Sequence, residues 1–137
     1  MFYAILDTNV LVSAMLKANS NPGEVVIESL QGKIIPILSP EILGEYTEVL
    51  HREKFKFDEQ KVEVLLEGMK ERALSFGLSD VNEVLLDPKD VVFYAVTMEA
   101  RKCFDAFLVT GNTKHFPIKP YVVTPSEMIE ILKQDLF

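Results

Sequence analysis

Four positions carry side chains suited to holding a cation or handling a phosphate: Asp7, Glu45, Asp90 and Asn112. Asp7 follows at once on the apolar run Phe2–Leu6 and precedes a helical pattern. A carboxylate at such a strand-to-helix switch lies at the carboxyl edge of a sheet, where open α/β folds bind their ligands. Glu45 belongs to a helix whose apolar sector is Ile42, Leu43, Tyr46, Val49 and Leu50; of the flanking acids Glu41, Glu45 and Glu48, it stands nearest the apolar edge. Pattern alone favours a solvated glutamate face. In Asp87-Pro88-Lys89-Asp90, Asp87 is the expected N-cap and Asp90 the third helical residue. An acid there either complements the helix dipole or faces the ends of neighbouring strands. Asn112 leaves the later strand through Thr110-Gly111 and offers a hydrogen-bonding amide without charge. Asp105 precedes that strand, so it is read as a cap or turn residue at the opposite edge.

If Asp7, Glu45 and Asp90 converge to about 5 Å, each pair repels by roughly 3 kcal/mol at an effective dielectric near 20. One of them must then take up a proton, or a divalent cation must join them. An all-oxygen donor set with no Cys or His cluster favours Mg²⁺ or Mn²⁺ over Zn²⁺. Such an ion can bind a phosphate oxygen and acidify water. Cys103 has no neighbouring histidine and is read as a small packed residue.

Apolar runs alternating with helical patterns must place these residues. Strands are expected at Phe2–Leu6, Ile34–Leu38, Phe107–Thr110 and Tyr121–Thr124, with Pro36 marking an edge or bulge. Helices are expected over Asn9–Lys17, Glu24–Leu30, from Pro40 to about Arg52, over Asp58–Phe76 with Gly77 as the stop, from Pro88 to about Lys102, and over Pro125–Leu132. Leu78–Leu86 is ambiguous and has room for a short strand. The alternation predicts one domain over residues 1–137: an α/β fold with a mostly parallel sheet of four or five strands between helical layers.

The 137 residues suffice for one buried core. A net charge of −7 argues against a passive nucleic-acid binder, whose affinity rests on Lys and Arg. It does not exclude a nuclease that borrows positive charge from metal ions. No apolar stretch is long enough to span a bilayer, Asp7 interrupts any signal-peptide pattern, and the lone cysteine forms no internal disulfide; these features point to the cytoplasm.

The runs Ile5–Ala14, Leu38–Tyr46, Asp87–Asp90 and Leu108–Asn112, with the closing Val123–Met128, together resemble PIN-domain proteins, and more narrowly the toxin branch of toxin–antitoxin pairs. The resemblance covers essentially the whole chain. It implies a three-layer, Rossmann-like α/β/α fold and a Mg²⁺- or Mn²⁺-dependent ribonuclease with Asp7, Glu45 and Asp90 as catalytic and metal-binding acids. It implies that Thr8 and Asn9 order the site, with Asn112 orienting a water or a phosphate. Lys114, His115 and Lys17 are then available to touch RNA; Arg52, Lys54 and Lys56, interleaved with Phe55 and Phe57, form a second basic cluster. It further implies a homodimer, using apolar surface on the third and fourth helices, and a small protein antitoxin over the acidic cleft.

Two positions depart from the family pattern. Val91 stands where a second acid commonly follows the one matched by Asp90, and Asn112 stands where Asp commonly follows Thr-Gly. Three carboxylates therefore remain instead of four or five. This motivates an alternative, a weak or inactive PIN domain that binds RNA or protein. A haloacid-dehalogenase-type phosphotransferase also starts from an acidic strand exit, but it needs a second Asp where Asn9 stands. A generic α/β module with incidental acids is the remaining reading.

Overall fold

The structure is a computed structural model that describes residues 1–82 and 87–135. Among them run five strands, β1 (Phe2–Leu6), β2 (Ile34–Leu38), β3 (Leu74–Ser75), β4 (Phe107–Val109) and β5 (Val122–Val123). Six helices accompany them: α1 (Thr8–Leu16), α2 (Asn21–Gln31), α3 (Pro40–Leu50), α4 (Glu59–Arg72), α5 (Pro88–Ala100) and α6 (Pro125–Gln134). The sheet order is β3-β2-β1-β4-β5, parallel throughout. The expected α/β fold with a parallel sheet is thus the observed one.

β1 is central, and Ala4, Ile5 and Leu6 are all fully buried. An apolar strand without alternation is what a sheet covered on both faces requires. α5 packs on β1 and β4, while α2 packs on β2 with α1 and α6 against it. From β1 the chain builds outward through β2 and β3, then crosses to β4 and β5 on the other side. The order therefore reverses between β1 and β4, and the crevice beyond their carboxyl ends is where such sheets bind ligands. Asp7 and Thr110 are the residues that leave those two strands.

Local chemistry fixes the helix starts. Ser39, Asp87 and Thr124 each accept a hydrogen bond from a first-turn amide, with Pro at the next position. α2 begins at Asn21, earlier than the expected Glu24, because Ser20 Oγ caps the Gly23 amide. It ends on Gly32, whose φ of 101° is the left-handed conformation that glycine adopts without strain.

Several expectations are corrected. α4 stops at Arg72, short of Phe76, because Leu74 and Ser75 leave the helix to pair with Ile37 and Leu38. Gly77 is accordingly not its stop. β2 is internal, yet Pro36 is tolerated: β3 reaches only Ile37 and Leu38, so Pro36 pairs on the β1 side alone, with Ala4. Residues 78–82 form no strand, and the rest of the Leu78–Leu86 reading lies outside the described residues. Cys103 is exposed, not packed, because α5 ends at Ala100 and the turn after it faces outward. Of α3 and α4, only α4 shows a large exposed apolar side chain, Val64, among the described residues. No helix among them is long and apolar enough to cross a membrane.

Candidate active site

At the β1–β4 rim, Asp7 is held from several directions. Thr110 Oγ1 donates to Asp7 Oδ2 at 2.7 Å, and Asn9 Nδ2 donates to the same oxygen at 3.3 Å. Asn9 Oδ1 accepts the Gly111 amide at 3.0 Å, and Thr110 Oγ1 accepts the Asn112 amide at 3.0 Å. Asn9 therefore ties the exit of β4 to the exit of β1. Thr8 is buried in the first turn of α1. Burial pushes the Asp7 carboxyl above its ordinary pKa; the Thr110 hydroxyl, the amides of Thr8 and Asn9 and the charge of His115 pull the other way.

Asp90 enters from the first turn of α5. Its carboxyl is also raised, first by burial and then by the negative charge of Asp7, with His115 opposing. The two acids thus share one electrostatic environment. His115 Nδ1 lies 3.4 Å from Asp90 Oδ2. Asn112 Nδ2 lies 2.8 Å from His115 Nε2. The same Asn112 nitrogen lies 3.4 Å from His115 Nδ1, so the amide faces the edge of the ring that carries both nitrogens. Asn112 thus stands against the His115 ring. Lys114 lies in the same single 3-10 turn, residues 113–115, and lines a groove beside the site.

Glu45 stands on α3 with its carboxylate 3.8 Å from Lys89 Nζ, the residue before Asp90. Its counter-charge is a lysine, and it does not close a three-carboxylate cluster. Among the described residues no three His, Cys, Asp or Glu side chains stand close enough to share an ion. Arg52 pairs with Glu48, and Lys54 lies over the Phe55 ring, which stacks on Phe57; that basic cluster is tied to its own surface.

A divalent ion nevertheless fits the pair. Asp90 Oδ2 and Thr8 Oγ1 are buried without a hydrogen-bond partner among the described residues. Asp7 and Asp90 offer only oxygen donors, and the burial and repulsion that raise their carboxyls are what a cation would relieve. Mg²⁺ commonly takes only one or two carboxylates and fills its shell with water and phosphate oxygens.

Two contributors escaped the sequence. Thr110 was visible only as the end of a strand, although a Thr leaving β4 beside an acid-bearing β1 was its signal. Tyr46 passed for core. Its ring is fully buried, but its hydroxyl donates to the Leu6 carbonyl at 2.5 Å, the peptide just before Asp7. Its ring centroid lies 6.2 Å from that of Phe93 on α5, one turn after Asp90. One side chain on the helix of Glu45 therefore touches the elements that carry Asp7 and Asp90.

No curated protein matches the chain. A family model described as PIN domain matches residues 3–114, from within β1 to just past Asn112, and so spans Asp7, Glu45, Asp90 and Asn112. Proteins of that description are typically nucleases and generally use divalent metals. With the match running over most of its length, and with a parallel sheet that seats an acid pair at the β1–β4 switch, the chain belongs to the PIN-domain family.

Proposed function

We propose that this chain is a metal-dependent ribonuclease that hydrolyses RNA phosphodiester bonds at the Asp7–Asp90 pair. The observation that carries this is two buried, mutually repelling carboxylates at the switch point of the sheet, one with an unpartnered oxygen. Asp7 and Asp90 would hold Mg²⁺ or Mn²⁺, which when bound supplies positive charge to the phosphate and acidifies water.

The protein's own residues do the positioning. Thr110 and Asn9 fix one oxygen of Asp7 and so aim the other. His115, in contact with Asn112, stands with Nδ1 3.4 Å from Asp90 Oδ2, close enough to meet a phosphate bound there. Lys89 and Glu45 form an ion pair on the rim with Lys89 the exposed partner, from which Lys89 can swing to a phosphate. Lys114 offers a further cation just outside.

A second reading has its own motive. Val91 and Asn112 remove two acids, and Glu45 stays with Lys89. A PIN domain so reduced would bind RNA or protein with weak turnover. In a toxin role the acidic cleft would act in the cytoplasm and be covered by a small antitoxin; a homodimer would use Val64 on α4.

Cleavage of single-stranded RNA with added Mn²⁺, compared between wild type, Asp7→Asn and Asp90→Asn, tests the nuclease. Loss of cleavage by at least about a hundredfold in both variants is expected. Equal cleavage in all three would point to a contaminant and remove the proposal.

A further inference from the structure

A groove of about 740 Å³ opens beside the Asn112–His115 turn, lined among others by Lys114, Phe116, Ile118, Lys119 and Glu127. It follows the segment that leaves the site after His115 and returns along the sheet edge to β5. Three features give it a chemical character. Lys33, Lys70, Lys89, Lys102 and Lys133 each lie within 4 Å of a carboxylate, whereas Lys114 and Lys119, like Lys17, Lys54, Lys56 and Lys61 elsewhere, have no such partner among the described residues; these two share one groove. The one acid in the lining, Glu127, is exposed but engaged locally: its Oε1 accepts the Thr124 amide at 2.9 Å in the capping box of α6. Ile118 is fully exposed, at 102%, an apolar side chain held out beside two free ammonium groups.

In a chain of net charge −7, two unpaired lysines in one groove next to an acid site mark where a polyanion can approach. An apolar surface interleaved with cations suits unstacked bases on a phosphate backbone, not the uniform phosphate face of a duplex. We propose that this groove is the track for the single-stranded RNA flanking the scissile bond, with Lys114 and Lys119 on separate phosphates and Ile118 against a base. The substrate class rests on the nuclease reading; the groove itself is tested by binding alone.

The probe is a fluorescein-labelled single-stranded RNA of about twelve nucleotides, titrated in EDTA by anisotropy across about 50 to 200 mM salt. Each single-strand phosphate contact contributes about 0.7 to the slope of log K against log salt. Lys114→Gln with Lys119→Gln is expected to flatten the slope by about 1.4 and to weaken binding roughly tenfold. Lys70→Gln with Lys133→Gln removes the same charge elsewhere and is expected to leave the slope unchanged. Equal effects of the two pairs, an unchanged slope in the first, tighter binding of the matching duplex, or no binding by wild type would each overturn the track. Lysine-dependent binding by a protein that never cleaves would keep the track and sink the nuclease; cleavage with lysine-independent binding would do the reverse.

Discussion

At the scale of single residues, Asp7 bears a cost that the fold does not relieve by itself. It is buried, and its charge raises the neighbouring Asp90. Asp7→Asn keeps the shape and an acceptor for Thr110 but removes the charge. The metal-free variant is therefore expected to melt roughly 2–5 °C above wild type at pH 7.5, by differential scanning calorimetry. Tyr46→Phe is the complementary change. It deletes only the hydroxyl, leaving the Leu6 carbonyl at the root of Asp7 without its donor. A loss of about 1–3 kcal/mol in urea unfolding is expected. Because the same bond joins the acid-bearing elements, Mn²⁺ affinity should also drop by about tenfold or more, by calorimetric titration. A stability loss with unaltered Mn²⁺ affinity would reduce Tyr46 to ordinary core. Neither Thr110 nor Tyr46 was legible as a site residue, because their significance lies in contacts across 103 and 40 positions of sequence. Asp7 and Asp90 were legible because strand exits and helix starts are local signals that the sheet topology converts into a place. Glu45 was placed on the correct helix edge, but its pairing with Lys89 depends on how α3 and α5 meet, which periodicity does not encode.

At the scale of elements, boundaries written in capping chemistry could be read, and those set by tertiary pairing could not. Ser39-Pro40 and Asp87-Pro88 announce α3 and α5, whereas the end of α4 is decided by β2 offering a free edge to Leu74 and Ser75. Asp87 illustrates the separation of duties. Its side chain caps the Lys89 amide at 2.9 Å and lies three residues from Asp90. Asp87→Ala should cost about 1 kcal/mol in thermal unfolding while leaving cleavage by the folded protein within about twofold of wild type. A larger fall in cleavage would enrol Asp87 in the site. The junction of α1 and α2 is tighter. A Cβ on Gly23 would stand 2.0 Å from the Ala18 carbonyl oxygen, a backbone atom that cannot rotate away. Gly23→Ala should therefore destabilise by roughly 1–3 kcal/mol, read as a lower urea midpoint; no shift would mean that the loop before α2 moves freely.

At the scale of the whole molecule, the acid pair couples stability to pH and metal in a predictable sense. Asp7 and Asp90 have raised pKa values in the folded protein, so the metal-free native state holds their protons more tightly than the unfolded chain. The associated stability is complete below the unfolded carboxyl pKa, near about 4, and is lost as pH rises through the raised folded values. The lowered carboxyls of Glu48 and Glu99 act in the opposite sense, but they are solvent-exposed pairs and weigh little. A net charge of −7 adds general repulsion at neutral pH in the same direction as the acid pair. A cation bound to Asp7 and Asp90 competes with those protons, so its benefit must grow where they are absent. Melting with Mn²⁺ at a hundredfold excess over its dissociation constant should show stabilisation of about 2.7 kcal/mol at pH 7.5, with a given Mn²⁺ concentration doing clearly less at pH 5. Chelation with EDTA should return the midpoint to that of the metal-free protein, and Asp7→Asn should respond to neither treatment. A pH-independent response, or an equal one in Asp7→Asn, would place the ion on the general acidic surface and detach metal from the rim where β1 meets β4.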